Sequence, residues 1–133
     1  GTSTAGIAHA AISAHILGKP MGYVRGSSKS HGRNNRIEGK LEKGDKVVVV
    51  EDLISTGGSS IEVVEALRES GAEVLAVISI FTYETAKADK NFQDANVEKL
   101  SLCTISELID TAVAEKYVTS EEGKGIIEWL REI

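Results

Sequence analysis

The chain predicts an α/β fold, a parallel sheet flanked by helices, on three observations. Apolar strand-like runs alternate with helical patterns along most of its length. Two of those runs, KVVVV at 46–50 and VLAVISIF at 74–81, lack the apolar–polar alternation of a half-solvated strand, which marks strands covered on both faces. Glycines stand at 18 and 71, where two of the helical patterns stop.

In chain order, Ile7 to Leu17 is rich in alanine and apolar residues at helical spacing and reads as the first helix. Met21 to Val24 reads as a short strand. Gly26 to Arg36 is polar, glycine-bearing and without periodicity, so it is expected as a loop. Ile37 to Leu41 is a brief extended piece, and Lys46 to Val50 a buried strand. Ser59 to Ser70 is the clearest helix: Ser59 and Glu62 have capping-box spacing, and Ile61, Val64 and Leu67 make an apolar face. Glu73 to Tyr83 is the second buried strand. A short helix over Lys87–Ala95, a strand over Val97–Leu102, and amphipathic helices over Ile105–Glu115 and Ser120–Arg131 complete the order.

The 133 residues, 41% hydrophobic, suffice for one domain with a core. Twenty acidic residues against fifteen basic give a net charge of −5, which argues against a general nucleic-acid surface. Cys103 is the single cysteine, which excludes an internal disulfide and suits a reducing cytoplasm. No apolar run approaches the ~20 residues that a membrane helix needs. Metal-site spacings such as CxxC and HExxH, and a Gly-x-Ser-x-Gly elbow, are not found. His9 and His15 read as structural or surface residues of the first helix, and Cys103 as part of an apolar strand.

In an open parallel sheet, ligands lie past the carboxyl ends of the strands. The stretch VVVVEDLISTGGSS, Val47 to Ser60, is a strand end, a loop and a helix start, so it falls at that place. Gly57 and Gly58 let the backbone turn several amides inward, the helix start adds donors, and Ser55, Thr56 and Ser59 add hydroxyls: a cradle for a phosphate monoester. The same composition equally suits an ordinary serine-capped turn. It is not a Walker A loop, since that motif's lysine is missing. Glu51 and Asp52 are adjacent strand residues that face opposite sides. Together with the cradle they suit a ribose 5-phosphate, the acids on the sugar hydroxyls. A carboxylate there also suits hydrated Mg²⁺ carried by substrate phosphates. Surface acids at a strand end are the plainer alternative.

A third feature is the run Arg25 to Arg36, which holds Arg25, Lys29, His31, Arg33 and Arg36 and no acid. In an acidic protein such a loop suggests a second, more highly charged anion, for which long cations would neutralise developing charge and exclude water. Taken alone, it also fits a solvated surface loop.

These pieces resemble the type I phosphoribosyltransferases. VVVVEDLISTGGSS resembles their phosphoribosyl-pyrophosphate (PRPP) motif, which is specific for the superfamily but does not choose the base. RGSSKSHG followed by IEG resembles the mobile catalytic loop of the orotate phosphoribosyltransferases. GTSTAGIAHAA at the start and ISIFTYE at Ile78–Glu84 also resemble that family, in its Gram-positive bacterial branch. The resemblance implies a Rossmann-like type I phosphoribosyltransferase core, Mg²⁺ held mainly by PRPP rather than by protein ligands, and transfer of ribose 5-phosphate from PRPP to orotate. The products are orotidine 5′-monophosphate, on the way to UMP, and pyrophosphate. It further implies a cytoplasmic homodimer with shared active sites.

By the same resemblance, Arg25, Lys29 and His31 contact the pyrophosphate, Glu51 and Asp52 the ribose, and the segment Leu53, Ile54, Ser55, Thr56, Gly57, Gly58 and Ser59 completes the PRPP site, with Ser55 also near orotate. Lys29, His31 and Asp52 are the implied catalytic residues. The chain departs from some members at Ala5, Gly26 and Tyr83, so orotate recognition is assigned to Ser55 alone. Residues 1–133 are expected as one domain lacking the family's N-terminal region, able to bind PRPP weakly and to turn over orotate poorly. Two other expectations stay open: a phosphoribosyltransferase for another base, and a PRPP-binding regulatory module without catalysis.

Overall fold

A computed structural model describes residues 1–26 and 36–133. Its elements are α1 (Ala5–Leu17), β1 (Tyr23–Val24), β2 (Ile37–Glu38), β3 (Lys46–Ile54), α2 (Gly58–Glu69), β4 (Glu73–Thr82), α3 (Ala86–Asp94), β5 (Glu98–Thr104), α4 (Ile105–Ala114) and α5 (Ser120–Arg131). Strands β3, β4 and β5 pair in parallel in that order, and β1 pairs antiparallel with β2. Near its start β4 carries one extra residue against β3: Val47 faces Val74, but Val48 faces Ala76.

The short segment Gly1–Ser3 joins these two sheets. Thr2 bridges Val24 in parallel on one side, and its amide donates to the Val50 carbonyl at 3.1 Å on the other. The chain thus leaves Thr2, passes through α1 and returns on β1. From β3 it progresses the opposite way, through α2 to β4 and α3 to β5. Crossovers between parallel strands are right-handed, so this reversal puts α1 on one face of the sheet and α2 and α3 on the other. The reversal point, between Thr2 and β3, is where such sheets bind ligands.

On the α2 and α3 face, Val49 and Val77 pack with Val63, Val64, Leu67, Ala88 and Phe92 in one buried cluster. Val64 and Val77 are fully buried there. Burying each such valine stabilises the fold by about 1.5–3 kcal/mol. On the other face α1 packs against β3, while Val48, Ile80, Leu100 and Leu102 stay substantially exposed. The expectation that both apolar strands are covered on both faces is therefore corrected. Period alone cannot distinguish an apolar face that helices cover from one that this chain leaves open.

A second correction concerns α2. It starts at Gly58 with Gly57 as its N-cap, and no side chain caps it, so Ser59 and Glu62 form no capping box. The helix begins before Ser59, because Gly57 takes a left-handed backbone (φ 82°) that turns the chain directly out of the strand. The remaining elements lie within a few residues of their expected bounds, and Gly18 ends α1 in a left-handed conformation.

Candidate functional site

The β3–α2 turn is held from beneath, one carbonyl at a time. The Ile54 carbonyl accepts the Tyr83 amide at 3.0 Å, and the Gly57 carbonyl accepts the Ile61 amide at 3.0 Å. The Ser55 carbonyl accepts the Thr85 hydroxyl at 2.7 Å, and the Thr56 carbonyl accepts the Asn91 side-chain amide at 2.7 Å. With the carbonyls turned inward, the amides of Thr56, Gly57, Gly58, Ser59 and Ser60 find no acceptor among the described residues. These donors converge with the positive end of α2, an arrangement suited to a phosphate.

Gly57 is required twice over. Its φ of 82° disfavours any side chain, and a Cβ there would stand 2.6 Å from the Phe92 ring. Phe92, buried at 2% exposure in α3, is the floor on which the turn rests. Among the residues expected to meet PRPP, Ser55, Gly58 and Ser59 are exposed at this turn, Thr56 is half-buried and Gly57 buried. Leu53 is 40% exposed, whereas the Ile54 side chain lies in the core at 1%.

The two acids differ in burial, but the Asp52 side chain still lies beside the Glu51 carboxyl. Asp52 is half-buried at the strand end. Glu51 turns inward and is only 7% exposed. Its Oε1 accepts the Thr2 hydroxyl at 2.6 Å and the Asp52 amide at 3.1 Å, and its Oε2 accepts the Ser60 hydroxyl at 3.0 Å. Burial, and with it the neighbouring Asp52 side chain, pushes the Glu51 carboxyl above the ordinary glutamate range, while the Thr2 and Ser60 hydroxyls pull it back.

Arg25 follows β1, where its Nε stands 3.3 Å from Glu38 Oε1 and its carbonyl accepts the Arg36 Nε–H at 3.3 Å. The β1–β2 pair thereby sets Arg25 and Arg36 at the two ends of the basic loop. Lys29, His31 and Arg33 lie outside the described residues. Thr2, Ser60, Thr85, Asn91 and Phe92 were not expected at this site from sequence. Thr85 had a faint signal, a threonine just before a helix; Asn91 and Phe92 had none, since only the packing of α3 brings them beneath the turn.

A cavity of about 840 Å³ runs along the free edge of β3 between α1, the β1–β2 pair and Val47–Val50. Its walls are mainly aliphatic and meet the polar site only near Glu51, so it is no phosphate pocket. Among the described residues, no cluster of His, Cys, Asp or Glu forms a metal cage. A half-buried carboxylate at Asp52, beside open amides, fits an ion brought by phosphates better than a resident ion. No helix among the described residues is long and apolar enough to cross a membrane.

A parallel sheet that reverses direction beside a cradle of open amides and strand-end acids defines an α/β domain with an anion-suited turn at its reversal point. The chain belongs to the phosphoribosyl transferase domain family, whose model matches residues 1–116. It is 53% identical over 129 residues to the orotate phosphoribosyltransferase of Staphylococcus saprophyticus, covering 97% of this chain and 64% of that protein. The chain therefore spans a little under two thirds of that relative. Among solved structures, it resembles the orotate phosphoribosyltransferase of Aeropyrum pernix (TM-score 0.74, 32% identity, 83% of this chain and 61% of that one). It also resembles the UMP synthase of Leishmania donovani (TM-score 0.81, 25% identity, 98% of this chain and 28% of that one).

Proposed function

We propose that this chain carries the PRPP site of an orotate phosphoribosyltransferase. The observation behind this reading is the β3–α2 turn: Ile54 to Gly57 have their carbonyls tied inward, and the amides of Thr56–Ser60 stand open at a helix start. A 5-phosphate seated there sets the ribose beside Asp52. The high identity to an orotate enzyme supports orotate as the acceptor.

In the reaction the bond from the anomeric carbon to the pyrophosphate oxygen breaks, and a bond from that carbon to orotate N1 forms. Orotate, its N1 proton given up to solvent or to the departing pyrophosphate, provides the electron pair, and pyrophosphate leaves with the pair of the broken bond. The sugar passes through a cationic, oxocarbenium-like state. Asp52 stabilises that positive charge, and Arg25, Lys29 and His31 stabilise the negative charge on the leaving pyrophosphate. Asp52 would be the protein carboxylate nearest to Mg²⁺ carried in by PRPP, an ion that would supply neutralisation of phosphate charge. We further infer a cytoplasmic homodimer in which the basic loop of one copy serves the site of the other, as the loop's sequence resemblance implies.

The test is pyrophosphate release from PRPP and Mg²⁺ with orotate, adenine, hypoxanthine and uracil in parallel. Release with orotate alone is expected. A preference for another base would reassign the acceptor, and failure of PRPP to bind in calorimetry would reject the site. Lys29→Ala should lower kcat more than it weakens PRPP binding, since its charge matters most as the leaving group departs.

A further inference from the structure

We propose that Arg68 is a positioning residue for the β3–α2 turn: from the last turn of α2 its guanidinium fixes the far end of α3, and so sets where Asn91 meets the Thr56 carbonyl. The proposal rests on the PRPP reading above.

Arg68 is exposed and stands at the opposite end of α2 from the open amides. Its Nη1 donates to the Ala95 carbonyl at 2.6 Å and its Nη2 to the Asn96 carbonyl at 3.0 Å. Ala95 is the C-cap of α3, and Asn96 takes a left-handed backbone (φ 50°) where the chain turns toward β5. The last carbonyls of a helix have no partner within it. Here a neighbouring helix supplies two donors, through the two prongs of one planar group. The same positive charge lies at the negative ends of both helices.

From Ala95 the path to the site is short. The Ala95 amide donates to the Asn91 carbonyl at 3.0 Å, and the Asn91 side chain donates to the Thr56 carbonyl at 2.7 Å. About one helical turn therefore separates the group that Arg68 holds from the group that braces the phosphate turn. Phe92, the floor beneath Gly57, lies in the same turn of α3, and its carbonyl accepts the Val97 amide at 3.2 Å. Ala88 and Phe92 share a buried cluster with Val64 and Leu67, which keeps α3 against α2. Apolar burial is non-directional and sets the axial position of a helix only loosely. A hydrogen bond is stricter: a slide of about 1 Å takes Asn91 out of good bonding range of Thr56. Near its start α3 is steadied by Lys99 of β5, whose Nζ lies 2.7 Å from Asp89 Oδ1. That single ammonium contact fixes a distance, whereas the paired contacts at Ala95 and Asn96 fix position and direction together.

The experiment compares the wild-type chain with Arg68→Ala, Asn91→Ala, the double variant and Thr104→Ala, each first checked by thermal melting. One readout is the NMR resonance of the Asn91 side-chain amide without ligand, assigned by its loss in Asn91→Ala. The other is a calorimetric PRPP titration with Mg²⁺. In Arg68→Ala the Asn91 resonance is expected to move toward that of a solvent-exposed asparagine, and PRPP affinity to fall about threefold to fivefold. Added to Asn91→Ala, the substitution should cost no further affinity, because its effect passes through Asn91. Thr104→Ala, a loss of stability elsewhere in the fold, should move neither readout. An unmoved Asn91 resonance in Arg68→Ala, or affinity losses that multiply in the double variant, would overturn the proposal while leaving the PRPP reading intact. Should Arg68→Ala fail to fold, Arg68→Lys, which keeps the charge but lacks the planar fork, takes its place with the same expected result. A wild-type chain that binds no PRPP would reject the PRPP reading, and the Asn91 resonance would then decide by itself whether Arg68 positions the turn.

Discussion

Of the three helices that follow β3, β4 and β5, two are closed by their own side chains. At the β5–α4 turn, Thr104 accepts the Glu107 amide at 3.2 Å while Glu107 accepts the Thr104 amide at 3.0 Å, a reciprocal capping box. The Ser106 amide is also taken, by Glu84 at 3.0 Å. At the β4–α3 turn, the Thr85 hydroxyl accepts the Ala88 amide at 3.1 Å. The β3–α2 turn has no side-chain cap at all. A helix start normally satisfies its amides from within, because leaving them bare costs stability. The start of α1, which follows the Thr2 segment, also lacks a side-chain cap, but of the starts after β3, β4 and β5 only that of α2 is open and braced instead through its carbonyls. Its open donors are the feature to explain, and an anionic ligand explains them.

The contrast can be broken most severely at Gly57. Gly57→Ala strains the left-handed backbone and drives a methyl group toward Phe92. It is expected to cost about 2–3 kcal/mol in urea unfolding. PRPP affinity should fall about a hundredfold, near the ~3 kcal/mol that losing a set of aligned donors implies. Affinity preserved in a folded Gly57→Ala protein would mean that the amides of this turn are not the phosphate site.

Asn91→Ala removes the brace on Thr56 while leaving the turn's own residues unchanged. It should weaken PRPP binding about tenfold in calorimetry, at a stability cost of about 1 kcal/mol. Equal losses in stability and affinity across a temperature series would reduce Asn91 to a simple structural residue.

Thr104→Ala is the control at the closed turn. Loss of that cap is expected to cost about 1 kcal/mol of stability by urea unfolding. PRPP affinity should stay within about twofold, since α4 donates nothing to the ligand.

The weakest effect lies at the same turn and depends on pH. The side chain and amide of Ser106 hold the Glu84 carboxyl below its ordinary value of 4.5. A carboxyl lowered in the folded state adds stability above that ordinary value and loses it as the pH falls through the lower, folded-state value. The stability difference between wild type and Glu84→Gln should therefore be constant near neutral pH and shrink on acidification below the ordinary glutamate range. A difference that grows on acidification would contradict this.

Much of the fold was legible in the chain. The β-branched runs at 46–50 and 74–81 announced strands, and glycines 18 and 71 marked helix ends, because these signals act over a few neighbouring residues. The Val47–Ser60 stretch pointed to the site for the same reason, since glycines, hydroxyls and acids are adjacent in sequence. Less was legible where distance along the chain intervenes. Nothing local to Thr2 or Ser60 says that they meet at Glu51, and nothing near Asn91 says that it supports Thr56. The expected cap at Ser59 was wrong because Gly57 turns the chain earlier than hydroxyl spacing suggests.

By itself, then, the sequence determined the alternation of strands and helices, the place of the phosphate turn and the pairing of two acids at a strand end. These are short-range properties, set by backbone sterics, side-chain period and local hydrogen bonding. Only the tertiary structure decided which acid faces inward, which carbonyls are tied down and which helix start stays open. Those depend on partners tens of residues away, which become neighbours only when the sheet reverses direction between Thr2 and β3 and α3 packs beneath the turn.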